Sequence, residues 1–508
     1  MPRLSRKPLG SLAARLTGPR ADAAAGAAGA ALPFAFAPLG WFALAVLAPA
    51  ALFALWLKAT PARAAWRGFL FGLGMFGLGV SWVYRSMHDY GNMPASLAAL
   101  ATALFVAGLA LFPALLGYLQ ARFFDRARLR HVVVVLPALW VLFEWWRGWF
   151  LTGFPWLNLG YSQSDSWLSG YASWLGVYGV SFATALSAGL IVAAVRTPAR
   201  PRLVCIAAVA ALWVAGFAAG KIQWAQPDGA ALRVALVQGD VPILAKWNPL
   251  ERGAILDRYR RLSLEAPAAD LTVWPESAIP TYLHRVDPAY LEELRRIARE
   301  RHTDFLIGVI ERDAVDQHKY YNSAIVLGAA EGAYRKRHLV PFGEYVPLKP
   351  VFTWLMGSLE IPMSDLSPWP GEQPPLEAAG RRLGISICYE DAFGEEAIRT
   401  LPDASILVNL SEDAWFGDSI AAHQRLQMAR LRALETARPM LRAANTGPSA
   451  IIDHHGAVTA RSPQFQTLVL AGEVQPMQGA TPYVRLGNIP AVLAVLAGVV
   501  FGFWRRRG

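Results

Sequence analysis

Residues 383–391 read LGISICYED, an apolar run of strand type that stops at Cys388 and passes straight into Tyr389, Glu390 and Asp391. A nucleophile at the end of a buried strand, facing a loop, sits where chemistry is commonly placed, because a rigid strand fixes a group the loop leaves accessible. Similar runs lie on both sides: LRVALVQ (232–238), LTVWPE (271–276), FLIGVI (305–310), NSAIVLG (322–328), SILVNLS (405–411) and LRAAN (441–445). Between several of them are amphipathic stretches such as LERGAILDRYRRLSLEA (250–266) and DPAYLEELRRIARERH (287–302). Strand–helix alternation predicts a layered α/β domain over 221–485. Residues 341–375 are rich in Pro and lack periodicity, as a functional or mobile loop would be.

Outward from this domain the texture changes. The 508-residue chain is 54% apolar and only 17% charged, below the quarter or so usual for soluble domains. Its mean hydropathy of +0.30 suits a hybrid of membrane and soluble parts. Apolar stretches near 21–37, 39–57, 66–84, 95–118, 131–149, 169–195 and 203–220, with another at 489–504, are candidate spans. The expected organisation is a bundle of about seven spans over 1–220, the α/β domain over 221–485, and a final span with a basic tail over 486–508.

Charge supports that division. Residues 221–488 hold 28 Lys and Arg against 32 Asp and Glu, a net of −4, which leaves +15 in the rest of a chain whose total is +11. The basic excess lies in the hydrophobic part, which argues against a nucleic-acid groove. Loops carrying Lys58, Arg63 and Arg67, then Arg122 to Arg130, then Arg196 to Arg202, alternate with loops offering little beyond Arg85 and Arg147. By the positive-inside rule both termini are cytoplasmic and the long α/β segment is external. Glu144 and Arg147 read as an i,i+3 pair near the membrane interface.

Two Cys in this length exclude a disulfide scaffold. Cys205 lies within a span and reads as a small core residue. A thiol nucleophile needs a base. His338, His423, His454 and His455 are available, but His454–His455 read as a solvated turn and His423 as a surface or packing residue. No His or Cys pair has the spacing of a metal site, so neither metal nor cofactor is expected. Glu276, at the mouth of a strand beside Trp274, is a candidate general base. Lys336, in YRKRHLVPFGEYVP, reads alone as part of a solvated basic turn. Beside a thiolate it would lower the thiol pKa and hold an oxyanion.

The order WPES, YRKRHLVPFGEYVP, ICYED and NLSEDAWFGDS resembles the nitrilase (carbon–nitrogen hydrolase) superfamily, which implies a Glu–Lys–Cys triad on an α-β-β-α sandwich. With the spans, and with KWNP, PFGEYVP, CYED and DAWFGDSIAAHQ, the chain looks like the membrane-embedded branch of that superfamily, the bacterial apolipoprotein N-acyltransferases. The resemblance makes Cys388 the nucleophile, Glu276 the base and Lys336 the oxyanion stabiliser. It implies that Glu344 is a second carboxylate beside the triad, and that Tyr389 and Glu390 shape the pocket. Trp247 and Trp415 would line the acyl or substrate site, unless they are plain core aromatics.

The implied reaction moves an acyl chain from a phospholipid to Cys388, then to the α-amine of a diacylglyceryl-cysteine on an apolipoprotein, at the external face of the bacterial inner membrane. A membrane-anchored amidase and a transporter with an accessory domain are the alternatives. Against transport, the spans carry few ionisable residues. The apolar cluster Val351, Phe352, Trp354, Leu355, Met356, Leu359 and Ile361 is expected to form a movable arm at the membrane surface, with folding back into the domain core as the alternative.

Overall fold

A computed structural model describes residues 18–346 and 365–504. The chain divides into two compact units: one takes in the chain through Tyr84, Ser96–Ile222 and the chain from Arg485 on, the other Arg85–Ala95 and Gln223–Val484.

The first unit is helical. Its longer helices are Gly18–Ala31, Leu44–Trp56, Pro61–Gly79, Ala95–Phe123, Leu136–Arg147, Ala172–Arg196, Ala199–Ala219 and Ile489–Trp504. Pro61–Gly79 starts where Thr60 caps the Arg63 N–H and Pro61 presets the first turn. Small residues bring it against Ala95–Phe123: a Cβ on Gly68 would lie 2.2 Å from the Pro113 carbonyl oxygen. Small residues at facing helix surfaces are what allow so close a backbone approach.

Among the described residues three helices are long and apolar enough to cross a membrane: Ala95–Phe123, Trp167–Arg196 and Ala199–Ala219. The eight spans read from hydropathy are thus matched only in part. The stretch expected at 21–37 forms a 14-residue helix, Gly18–Ala31, followed by a single 3-10 turn at Leu32–Ala35. Asp22 in it takes a buried ion pair with Arg67, 3.0 Å away. Glu144 and Arg147 are both buried. They fasten the loop that follows their helix. Glu144 Oε1 accepts from the Leu159 N–H at 2.8 Å, and Arg147 donates to the Phe154 and Trp156 carbonyls, both at 2.6 Å.

The second unit holds two six-stranded sheets. One runs, edge to edge, Leu468–Val474, Leu232–Gln238, Leu271–Val273, Asp304–Arg312, Tyr320–Leu327, Glu331–Arg335. The other runs Val458–Arg461, Ala450–Ile452, Met440–Ala444, Ile406–Ser411, Arg381–Ile387, Leu376–Ala378. Alternate residues build the core between them. Leu232, Val234 and Leu236 of the first sheet join Leu383, Ile385, Ile387, Ile406, Val408 and Leu410 of the second in one buried cluster, as a period of two dictates.

The outer faces take helices. Tyr259, Leu262, Leu294 and Ile297, from Arg252–Glu265 and Pro288–Arg301, cover Val237, Phe305, Ile307 and Val309. Leu426, Ala429 and Ala433 of Ile420–Thr436 cover Leu407, Met440 and Ile452. This is an α-β-β-α sandwich. Leu232–Gln238, Leu271–Val273 and Asp304–Arg312 are parallel to one another, as are Arg381–Ile387, Ile406–Ser411 and Met440–Ala444. The carboxyl ends of parallel strands are where such sheets place ligands.

Candidate active site

Glu276 and Cys388 each follow a parallel strand at its carboxyl end. After Val273 the chain continues through Trp274, whose N–H reaches the Leu306 carbonyl at 2.8 Å. Pro275 has no N–H to extend the ladder, and the chain turns at Ser277, φ +48°. Gly308 of the neighbouring strand lies beneath that turn. A Cβ there would fall 2.3 Å from the Pro275 carbonyl oxygen and 2.7 Å from the Glu276 Cα, so a side chain at 308 would push Glu276 out of place.

Glu276 is buried. Its Oε1 accepts from Asn322 Nδ2 at 2.7 Å and lies 3.6 Å from Lys336 Nζ. Its Oε2 is buried and has no hydrogen-bond partner among the described residues. A carboxylate held by one oxygen, with the other unengaged, is arranged to accept a proton. Asn322 also donates to Glu344 Oε1 at 2.9 Å, so one amide spaces the two carboxylates. Glu344 Oε2 lies 2.8 Å from Lys336 Nζ and accepts from the Val340 N–H at 2.8 Å.

Lys336 follows the strand Glu331–Arg335 and is 1% exposed, where the sequence taken alone suggested a solvated turn. Burial pulls its pKa down, but Glu344 and Glu276, with a charge on Cys388, outweigh burial and hold it above the usual lysine range. It is therefore a fixed cation rather than a base.

Cys388 is buried and sits at φ +51°, an uncommon conformation for a side-chain-bearing residue that must be held by its surroundings. Its carbonyl is held by Arg425 Nη2 at 2.6 Å and by Asn409 Nδ2 at 3.2 Å. Burial, then the Glu276 charge, pushes the thiol up to about 12, against the pull of Arg425 and Lys336. The resting group is thus a thiol, and it needs a base to become a nucleophile. Transfer of that proton to Glu276 would also remove the charge that opposes ionisation.

Glu390 lies beneath the Lys336 segment. It accepts from the Tyr334 hydroxyl at 3.0 Å, the Ile387 N–H at 2.7 Å, the Arg337 N–H at 2.7 Å and the His338 N–H at 3.2 Å. It thereby ties the end of the cysteine strand to the lysine segment. Burial raises it to about 7, opposed by Lys336 and these donors. Tyr389 packs edge-on to His338 and Phe393, whose rings stack 3.8 Å apart. His338 is therefore engaged with aromatic rings, and His423 Nδ1 lies 3.1 Å from Arg461.

Trp247 is half-buried against Ile310, Leu339 and Leu366, with Tyr282, Tyr320 and Tyr345 around it. Its apolar cluster therefore borrows residues next to Lys336 and Glu344. Trp415 is half-buried, and its carbonyl accepts from the Ser86 hydroxyl at 2.8 Å. Residues 351–361, expected to form an arm, lie outside the described residues.

Several functional candidates escaped sequence reading. Asn322 stands in a mostly apolar, buried strand, and a buried amide must find partners; that was the signal. Lys246, in KWNP, is 1% exposed, pairs with Glu412 and donates to the Glu276 carbonyl at 3.0 Å. Arg425 reads as one more polar residue of its helix, yet it is buried against the cysteine.

Two family models match the chain: the apolipoprotein N-acyltransferase N-terminal domain over residues 28–190 and carbon–nitrogen hydrolase over residues 233–483. The chain is 46% identical to an apolipoprotein N-acyltransferase of Methylococcus capsulatus, over 94% of each protein. It is 45% identical to that of Nitrosomonas europaea, over 95% of this chain and 98% of the relative. To that of Azotobacter vinelandii it is 46% identical, over 94% of this chain and 93% of the relative.

Proposed function

The chain belongs to the apolipoprotein N-acyltransferase family and is an N-acyltransferase, and from that premise we propose that it transfers an acyl chain from a membrane phospholipid, through a thioester on Cys388, to the α-amine of an N-terminal diacylglyceryl-cysteine of apolipoproteins. The observation that carries the mechanism is the buried cluster of Glu276, Lys336 and Glu344, with Lys336 2.8 Å from one carboxylate and 3.6 Å from the other, acting on the Cys388 thiol.

In this reading Glu276 Oε2 takes the thiol proton as the sulfur attacks the ester carbonyl carbon. Lys336 and a backbone N–H hold the oxyanion. Collapse breaks the acyl–oxygen bond, and the proton on Glu276 passes to the departing lysophospholipid. The acceptor amine then attacks the thioester and gives a proton to Glu276. The thiolate leaves and is reprotonated, and an amide remains. Glu344 and Asn322 hold Lys336 and Glu276 in register throughout, and Trp247 lines the apolar side of the site. Tyr389 and Trp415 lie on segments adjoining the nucleophile and the strand beside it, and we assign them to substrate contact. A preorganised cation at the oxyanion supplies the largest single share of such a barrier reduction.

We further propose eight spans, with both termini cytoplasmic and the catalytic unit at the periplasmic face of the inner membrane. The alternation of basic and charge-poor loops supports this. Both substrates carry acyl chains, so a bilayer enzyme meets them where they reside. Water must be kept from the thioester, or the acyl chain is lost as free acid.

The test uses phospholipid alone. Incubating the purified chain with phosphatidylethanolamine vesicles and no acceptor should add one acyl mass to the peptide containing Cys388, removable by neutral hydroxylamine. An unmodified Cys388 peptide after lysophospholipid has been released would show that the acyl group does not pass through this residue.

A further inference from the structure

The Cys388 sulfur has a cation beside it that the Glu–Lys–Cys arrangement does not include. Arg425, on Ile420–Thr436, is 1% exposed, and its Nη1 lies 3.1 Å from Cys388 Sγ. The same nitrogen is 3.2 Å from Asp413 Oδ1. Its Nη2 donates to the Cys388 carbonyl at 2.6 Å and to Asp391 Oδ1 at 2.9 Å. Asp413 is paired in turn with Arg442. The guanidinium is thus clamped between two buried carboxylates, and each of its two terminal nitrogens also donates to Cys388, one to the sulfur and one to the carbonyl.

We propose that Arg425 is a second cation of the catalytic centre, which stabilises the Cys388 thiolate directly and fixes the strained turn that presents it. This rests on the reading of Cys388 as the nucleophile. The two cations then divide the labour. Lys336 is engaged by Glu344 and Glu276, which leaves it at the oxyanion side. Arg425 contacts the sulfur itself. A guanidinium donating to a thiolate in a dry site is a charge-assisted bond, about twice as strong as a neutral one, and a cation beside a cysteine favours the ionised form.

The charged groups with the largest effect on the sulfur fit this division. Glu276 opposes ionisation, as does Asp413; Arg425 favours it, ahead of Lys336. Asp391 acts through Arg425, which it holds. The proton released on ionisation goes to Glu276, so no further reactant is needed.

The test reads thiol reactivity, which needs no acyl transfer. In a Cys205→Ala background only Cys388 remains to be alkylated. Removing Arg425 alone would strand Asp391, whereas Asp413 keeps Arg442, so the main variant is Arg425→Gln with Asp391→Asn, which keeps the buried charges balanced, and Arg425→Lys is the companion that retains the charge. Iodoacetamide alkylation is followed by mass spectrometry from pH 7 to 9. The neutral double variant should react about tenfold more slowly throughout, since an adjacent cation lowers a thiol pKa by about one unit or more. The pH slope should be unchanged, and Arg425→Lys should fall between it and the parent. A rate equal to the parent, or a faster one as an unfolded chain would show, overturns the proposal. If the parent alkylates as expected but never gains an acyl group from phospholipid, the nucleophile reading fails instead, and the alkylation comparison still decides the role of Arg425.

Discussion

Cys388→Ala should abolish acyl transfer to a diacylglyceryl peptide in proteoliposomes, lowering the rate by at least about 10³-fold, as loss of a covalent nucleophile does elsewhere. Cys388→Ser should do the same, because a hydroxyl is a far poorer nucleophile than a thiolate near neutral pH. The cause is local. Cys388 lies in the sandwich core, but the turn that presents it is held through its carbonyl by Arg425 and Asn409. Those bonds do not need the thiol, so both variants should insert and melt within a few degrees of the parent. Transfer by the Ala variant at the parental rate would remove Cys388 from the mechanism.

Glu276→Gln should lower acylation of Cys388 by about 10²–10⁴-fold, the usual range for a positioned general base. The substitution is nearly isosteric, and Gln keeps an oxygen for the Asn322 amide, which Glu276 now engages at 2.7 Å. The electrostatic consequence runs the other way for the bare thiol. The Glu276 charge raises the Cys388 pKa, so removing it lowers that pKa and increases the thiolate present at pH 8. Iodoacetamide should therefore react with Cys388 at least as fast as in the parent while acyl transfer collapses. That divergence separates a proton-transfer role from general damage to the site. If both rates fall together, Glu276 is supporting the turn and another group is the base.

The sandwich was legible because its signals are local and redundant. Strands such as 232–238 and 406–411 are short apolar runs between polar turns, and the two helices on the outer face of the first sheet carry their apolar residues at helical spacing. Glu276, Lys336 and Cys388 were legible because each sits in a distinctive motif at a strand end. Lys336 shows the limit of reading one segment alone. Arg335 and Arg337 flank it and reach Glu311 and Glu372, whereas Lys336 turns inward to Glu344.

Arg425 was hidden for a different reason. Its partners Cys388, Asp391, Asp413 and Arg442 come from separate segments, and only the folded chain brings them together. Gly308 is similar, since the turn it makes room for lies about thirty residues earlier. Hydropathy marks eight apolar stretches, and among the described residues three form helices long and apolar enough to cross a membrane; Gly18–Ala31 is shorter, stops before the 3-10 turn that holds Pro33, and carries Asp22, which pairs with Arg67.

In the proposed reaction the acyl chain ends on an amine. The most direct measurement reconstitutes the purified chain with phosphatidylethanolamine and a synthetic diacylglyceryl-cysteinyl peptide, and reads the peptide by tandem mass spectrometry. One added acyl mass is expected, placed on the α-amine by the fragment ions, with one lysophospholipid formed per acyl group transferred and no product from the Cys388→Ala variant. A peptide whose amine stays free while fatty acid accumulates would contradict it, and would make this chain a membrane-bound hydrolase.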